Sequence, residues 1–245
     1  MADLRNYQNR MSQTRAQTGT GIDEGLRAYM LKVYNLMALG MAITGVAAYG
    51  TYALAVSNPA FANLLFASPL RWVIMLAPLG LVFFLSFRIN SMSVGTAQAT
   101  FWGYAALMGV SLSSIFIVFT GESIVQTFLV TAASFGALSL YGYTTKKDLS
   151  GLGSFLIMGL FGLIIASIVN IFLQSSAMGF AISAIGVLIF AGLTAYDTQK
   201  IKEMYFDGDD ALVAGRKAIM GALTLYLDFI NLFMFLLQFL GNRNE

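Results

Sequence analysis

The sequence predicts an all-α membrane protein with seven transmembrane helices, and three observations support this. Of the 245 residues, 58% are hydrophobic and 11% are charged, whereas a soluble domain carries about 25% charged residues. Seven apolar runs approach the length of about 20 residues that a bilayer helix needs. Very short linkers separate the third to sixth runs, which is typical of antiparallel neighbours in a compact bundle. The runs cover approximately 33–56, 72–89, 98–119, 124–144, 154–174, 178–199 and 218–240.

The N-terminal segment is polar, so it does not resemble a cleaved signal peptide, which needs an apolar stretch soon after a basic start. The first apolar run begins near residue 33 and is expected to be a permanent span. We therefore expect a polar cytoplasmic tail over 1–24, a transmembrane domain over 25–241 and a short external tail over 242–245.

The chain contains no Cys and no His, which restricts its chemistry. Disulfides, thiolate catalysis, His-based zinc sites and haem ligation by His are excluded. We expect no cofactor, no enzymatic activity and no nucleic-acid partner; the expected surroundings are the lipid bilayer.

Lys and Arg placement predicts the orientation, because cytoplasmic segments are enriched in these residues. With the N-terminus inside, twelve of them lie in cytoplasmic segments and two outside. The connection 200–217 is expected to be the longest internal loop and to be solvated. The inside set is Arg5, Arg10, Arg15, Arg27, Lys32, Arg88, Lys146, Lys147, Lys200, Lys202, Arg216 and Lys217, and the outside set is Arg71 and Arg243.

Two aspartates lie in or at the end of long apolar runs, where a carboxylate costs roughly 2.5–3.5 kcal/mol at mid-helix depth. Asp197 ends the sixth run and Asp228 lies inside the seventh. Intramembrane acids usually face the bundle interior and have a function. This pair is therefore the main candidate site.

Polar residues near the pair recur at helical spacing, which places them on shared faces. Thr194 and Asp197 share a face of the sixth span. For Asp197 to meet Asp228, the sixth helix has to continue through about Met204, or the site has to be funnel-shaped. The polar face of the seventh span consists of Thr224, Asp228, Asn231 and Gln238. Thr194, Thr224 and Asn231 are candidates for lining a pore.

Two carboxylates that share a dry site cannot both ionise cheaply, so one is expected to hold a proton. The pair would then act as a proton-sensitive latch, and Arg88 at the end of the second span is the candidate base. Alternatively, Arg88 is an interfacial anchor, and the acidic pair is a structural contact without a transport role.

Calcium prefers 6–8 oxygen ligands, so two carboxylates with nearby Thr and Asn oxygens predict weak, transient coordination. Calcium is thus expected as a permeating ion at Asp197 and Asp228, not as a resident metal. Glu122 follows a short outer turn. It is either a helix N-terminal acid or an attractor of cations at an outer mouth.

Three segments carry a resemblance to a known family: GLRAYMLKVYNLMALGMAITG, AGLTAYDTQKIK and LTLYLDFINLFMFLLQFLG. They resemble the Bax inhibitor-1 family, also called the transmembrane Bax inhibitor motif proteins, over about 25–241. The resemblance implies a seven-helix bundle with the last helix central and a pH-sensitive calcium leak. It implies that Asp197 and Asp228 are the proton sensor and gate and that Arg88 is their latch partner. The wording of the N-terminal motif is typical of bacterial members, which suggests the inner membrane.

Other functions stay open beside a calcium leak. Some bacterial family members resemble regulators of a membrane-bound ATP-dependent protease, and proton-coupled calcium exchange would use the same pair. An intramembrane aspartyl protease is disfavoured. In such proteases the second catalytic Asp follows a Gly-x-Gly pattern, and a Pro-Ala-Leu motif lies in a later span. Here Asp228 follows Leu-Tyr-Leu, and no Pro follows Pro78.

Overall fold

The fold, taken from a computed structural model, is described for the backbone of residues 2–244 and for the side chains of residues 24–244. It is built almost entirely of helices. Two short segments, the π-helical Asn63–Ala67 and the 3-10 helical Ile89–Ser91, join longer elements. The α-helices are α1 (Ala2–Ser57), α2 (Pro59–Ala62), α3 (Leu70–Arg88), α4 (Val94–Leu112), α5 (Ile115–Val118), α6 (Gly121–Thr144), α7 (Ser150–Leu173), α8 (Ser176–Glu203) and α9 (Ala211–Leu240).

In the part of the chain that the structure describes, seven segments are long and apolar enough to cross a membrane, which confirms the prediction. Their bounds are wider than the apolar runs because each helix continues beyond its apolar centre. The candidate spans are Glu24–Ser57, Leu70–Ser91, Val94–Val118, Gly121–Thr144, Ser150–Leu173, Ser176–Glu203 and Ala211–Leu240.

The connection between the last two spans is shorter than expected. The sequence predicts a loop over 200–217, but the structure leaves only Met204–Asp210 outside the helices, so that prediction is wrong in extent. Lys and Glu have high helix propensity, so the charged residues on both sides extend α8 and α9 instead of ending them. Lys217 pairs with Asp209 across this turn at 2.5 Å.

Side-chain caps fix where several spans begin, since the first backbone N–H groups of a helix have no partner within it. The hydroxyls of Ser93, Thr120 and Ser175 accept from the N–H three residues on, at the starts of α4, α6 and α8. Asp210 does the same for α9. These caps allow tight turns between antiparallel spans.

The last span is the most buried of the seven: 67% of its most apolar stretch is buried, against 11–39% in the others. It packs against α1, α4, α6 and α8, whereas α3 packs against α4 and α7 packs against α8. That all six other spans surround α9 stays a prediction.

A buried hydrogen bond joins α9 to α1. The hydroxyls of Tyr226 and Thr44 lie 2.7 Å apart, and Thr44 lies 2.9 Å from the carbonyl of Ala105 on α4. Phe101 and Tyr104 meet the Tyr226 ring edge-on at centroid distances of 5.8 and 5.6 Å. Three helices are thereby fixed around one tyrosine.

Side-chain hydrogen bonds also hold α6 to α8. Ser139 and Thr198 lie 2.9 Å apart, oxygen to oxygen. The Gln199 amide accepts from the N–H of Leu149 and donates to the carbonyl of Lys147, both at 2.8 Å. The position of α8, and of Asp197 on it, is therefore set by α6 and the turn that follows.

The C-terminal residues close the opposite end of the bundle. Arg243 forms an isolated antiparallel bridge with Phe119, and Asn244 donates its backbone N–H to Val118 at 3.0 Å. The segment expected as a short external tail is thus held against the α5–α6 turn as far as Asn244; Glu245 lies outside the described residues. The side chains of the expected N-terminal tail, up to residue 23, also lie outside them, and the backbone there continues α1 without a break.

Candidate functional site

The structure brings Asp197 and Asp228 together. Helix α8 runs to Glu203 with Met204 as its C-cap, so it is long enough to carry Asp197 beside α9, as the sequence required. The two carboxyl groups lie side by side within hydrogen-bonding reach. Asp228 is only 5% exposed, and Asp197 is half-buried.

One oxygen of this pair has no donor. Within the described side chains, Oδ2 of Asp228 is buried without a hydrogen-bond partner. Ionised carboxylates can only accept, so two of them side by side cannot satisfy each other. A single proton shared between them would supply the missing donor and remove the like-charge repulsion.

Two polar side chains near the pair, Thr224 and Asn231, form hydrogen bonds within their own helix. Thr224 donates to the carbonyl of Met220 at 3.1 Å, and the Asn231 amide donates to that of Leu227 at 2.8 Å. Such i−4 bonds are the usual way in which polar side chains are accommodated in an apolar helix. Neither of these side chains therefore supplies the missing hydrogen-bond donor to Oδ2 of Asp228.

A cavity of about 570 Å³ lies between α7, α8 and α9, and both aspartates line it. Its α7 wall is apolar apart from Ser167, with Ile164 and Ile168 among the lining residues. Its α9 wall carries Thr224, Asp228 and Asn231 of the predicted polar face, whereas Gln238 does not line the cavity. Of the three candidates for lining a pore, Thr224 and Asn231 line this cavity. Thr194 does not line it: its side chain is fully buried and donates to the carbonyl of Phe190 at 2.7 Å.

Lys200 is the cation among the described residues that line the same cavity, and its charge acts on Asp197. Its ammonium lies 5.8 Å from the centre of the Tyr196 ring. Sequence reasoning assigned Lys200 only to the solvated loop. Its spacing three residues after Asp197 would have placed it on the same helix face.

Arg88 lies away from the pair. Its side chain is exposed at the end of α3, a helix that packs against α4. Among the described side chains the ion pair formed is Lys217–Asp209, so Arg88 does not bridge to either aspartate in this structure. The sequence placed Arg88 near the pair because Arg88 ends its span on the same side of the membrane. That position predicts its depth in the membrane but not which helices it faces.

Glu122 is exposed in the first turn of α6, next to the cap residue Thr120. A carboxylate there favourably meets the positive end of the helix dipole. Its position is compatible with both of the roles considered for it from the sequence.

Outside the membrane spans, Asp148 lies in the turn before α7. The hydroxyl and the backbone N–H of Ser150 hydrogen-bond to its carboxylate, and these bonds lower the pKa of Asp148 below its ordinary value. This acid is therefore ionised at and above neutral pH, which distinguishes it from a group that responds to protons in that range.

Within the described residues, seven apolar helices of membrane-spanning length, two of which bring an acid pair together, define a helical integral membrane protein with a candidate proton- or cation-binding site. The family model described as "Inhibitor of apoptosis-promoting Bax1" matches residues 26–245. The chain therefore belongs to the Bax inhibitor-1 family, which confirms the resemblance.

Three bacterial proteins are similar to this chain along most of its length. An uncharacterized protein of Rickettsia prowazekii, RP147, is 52% identical over 91% of this chain and 93% of its own length. Inner membrane protein YbhL of Escherichia coli K12 is 50% identical over 89% of this chain and 93% of its own. An uncharacterized protein of Caulobacter vibrioides is 49% identical over 91% and 92%.

Proposed function

We propose that this protein is a pH-sensitive calcium leak channel whose gate is the Asp197–Asp228 pair. The observation that carries the proposal is the adjacency of two carboxyl groups in the wall of a cavity, one half-buried and the other buried with an unpartnered oxygen. A proton on the pair neutralises one carboxylate and links α8 to α9. Loss of that proton leaves two negative charges that have to separate or take up a cation.

Calcium is the cation that this chemistry favours. It is a hard ion that binds oxygen ligands, and the cavity offers two carboxylates with the oxygens of Thr224 and Asn231. Because calcium prefers 6–8 ligands, water would complete the shell. Binding would then be weak, as conduction requires, since an ion must be able to leave a permeation site.

In the proposal, Lys200 sets the electrostatic barrier at the end of the cavity, and Arg88 acts as a latch in a conformation other than this one. That conformation would need α3 to move toward α8 or α9. We further propose a bacterial inner membrane location, with the N-terminus in the cytoplasm and the C-terminus outside, following the Lys and Arg distribution.

Calcium efflux from liposomes tests the gate. The purified chain is reconstituted with internal calcium and a calcium-sensitive dye outside, and efflux is recorded from pH 5.5 to 8. Asp197→Asn and Asp228→Asn are expected to flatten the pH response, because an amide donates a hydrogen bond without a titrating proton. Asp148→Asn is the control, since that acid lies outside the spans. If both intramembrane variants keep the pH response of the parent, the proposal that the aspartate pair is the gate is wrong.

The same assay separates a leak from an exchanger. Efflux is measured with equal pH on both sides and with an imposed gradient. With calcium inside only, calcium can leave at equal pH by either mechanism, so the proton movement decides. Proton-coupled exchange carries protons inward as calcium leaves, and an imposed pH gradient can drive calcium against its own gradient, whereas a leak does neither. The absence of calcium flux under both conditions would favour the interaction role, in which the chain regulates a membrane-bound protease.

A further inference from the structure

A second opening lies on the other side of α9, between α1 and α6. Two cavities of about 570 Å³ each follow one another along these helices and share Tyr34 and Phe135 as lining residues. One extends to Arg27 and Tyr143, and the other extends to Gly45. Together they form one groove, called here the α1–α6 groove.

Small residues create this groove. Ala38, Ala42 and Gly45 line it from α1, and Ala132 and Gly136 line it from α6. A Cβ atom added at Gly45 or Gly136 would meet no atom within 4 Å, so real space is present at both positions. Small residues often bring membrane helices into close contact, but these face an opening.

Across the groove, α1 and α6 are joined by a side-chain hydrogen bond. The hydroxyls of Tyr34 and Ser139 lie 2.6 Å apart, and Ser139 continues to Thr198 on α8. Phe229 of α9 lines the groove and contacts the Phe128 and Phe135 rings at centroid distances of 5.6 and 5.4 Å. Between the Arg27–Tyr143 end and Gly45, the walls are thus apolar apart from this hydroxyl pair.

The length of the groove matches the membrane. Arg27 and Gly45 are eighteen residues apart on one helix, which is about 27 Å at 1.5 Å per residue. The hydrocarbon core of a bilayer is about 30 Å thick. The groove therefore runs along most of the hydrocarbon, and Arg27 marks one end at headgroup depth.

Positive charge collects at that end. Arg27 is exposed and lines the groove from α1. On the opposite side, the Lys202 ammonium donates to the carbonyl of Tyr143 at 2.8 Å and lies 5.4 Å from the centre of its ring. Lys146 and Lys147 follow directly after α6. Basic clusters at membrane surfaces attract anionic lipid headgroups.

We propose that the α1–α6 groove binds an anionic phospholipid, with one acyl chain along the groove and the phosphate between Arg27 and Lys202. The apolar walls match the chain, and the two cations match the charge of the headgroup. The Tyr34–Ser139 hydrogen bond lies beneath the chain, so a bound lipid shields the α1–α6–α8 connection from water. This site is separate from the acidic pair and does not depend on its role.

The test compares lipid retention by single-residue variants. The chain is purified from vesicles containing equal amounts of phosphatidylglycerol and phosphatidylcholine, and retained lipids are counted by native mass spectrometry. The parent is expected to retain more phosphatidylglycerol than phosphatidylcholine. Arg27→Gln should lower that preference about fivefold, the equivalent of about 1 kcal/mol for one cation at an anionic surface. Lys32→Gln removes an exposed charge near the same end of α1, outside the groove lining, and should behave as the parent.

Filling the groove tests the position of the acyl chain. Gly136→Leu should reduce retention of both lipids, whereas Gly162→Leu should leave it unchanged, because Gly162 is open and exposed on α7. Since Arg27 is exposed, its variant decides the outcome even if Gly136→Leu does not fold.

Equal retention of the two lipids by the parent would overturn the proposal, as would identical behaviour of Arg27→Gln and Lys32→Gln. The same native mass spectra report the oligomeric state. If the parent were dimeric and Gly136→Leu made it monomeric with unchanged lipid retention, the occupant of the groove would be a second copy of the chain, and the lipid assignment would be wrong.

Discussion

Helix α8 carries Asp197, and the distance between α8 and α6 is set by the close contact of Gly142 on α6 with the α8 backbone. A Cβ atom at this position would lie 2.1 Å from the carbonyl oxygen of Ala195 and 3.0 Å from its Cα. The change Gly142→Ala therefore adds one methyl group against the backbone of α8. Because a backbone cannot rotate away as a side chain can, the two helices have to move apart.

The size of the effect follows from these distances. Ordinary contact begins near 3.4 Å, so the gap of 2.1 Å has to open by about 1.3 Å (3.4 minus 2.1). The Ser139–Thr198 bond of 2.9 Å would then exceed hydrogen-bonding distance. Overpacking typically costs about 1–3 kcal/mol, and one lost hydrogen bond costs about 0.5–1.5 kcal/mol. Higher helix propensity returns about 1 kcal/mol, so Gly142→Ala should lower the unfolding free energy by roughly 0.5–3.5 kcal/mol.

Gly136 provides a matched control in the same helix. Its added Cβ meets nothing within 4 Å, so Gly136→Ala should be neutral or stabilising by up to about 1 kcal/mol. The measurement is reversible unfolding in detergent micelles, followed by circular dichroism. Equal effects of the two substitutions would refute the account of how α6 positions α8.

Three further predictions follow from individual contacts. Tyr226→Phe should cost about 0.5–1.5 kcal/mol, whereas Thr44→Val should cost about 1–3 kcal/mol because it leaves a buried hydroxyl unpaired; equal unfolding free energies would contradict this. Lys200→Gln should speed calcium efflux severalfold by removing a positive charge from the cavity, and Lys146→Gln, which is exposed, should not; slower efflux in the first variant would count against a cation path there. The pKa of Asp148 is lowered by its bonds to Ser150, so its stabilisation is present above its ordinary value of 3.8 and is lost as the pH falls below it. Asp148→Asn should therefore change stability equally at pH 6 and pH 8, and a difference between those two values would contradict this assignment.

Much of the fold follows from hydropathy alone, because a bilayer leaves few alternatives to a helix for an apolar run of this length. The connection near 200–217 was harder to predict. Charge there indicates solvent, but it does not end a helix whose residues, such as Lys202 and Glu203, have good propensity. Asp210, which the structure shows to be the N-cap, is the residue type that would have indicated where α9 begins.

The two acids of the site could be predicted from the sequence, but the cation near them could not. An intramembrane Asp is costly, so Asp197 and Asp228 were conspicuous in the sequence. Which cation lies near the two aspartates depends on how the other helices are arranged around α9. The periodicity of residues within one helix does not predict that arrangement. The sequence therefore favoured Arg88, whereas the structure places Lys200 beside the pair.

The central claim is that Asp197 and Asp228 hold one proton between them, and infrared spectroscopy tests it directly. Exposed Asp and Glu titrate near 3.9 and 4.3, so at neutral pH a protonated carboxyl band should come from this buried pair. The account predicts one such band in the parent, its shift in heavy water, and its loss in both Asp197→Asn and Asp228→Asn. A parent spectrum without the band, or a band that persists in both variants, would contradict it.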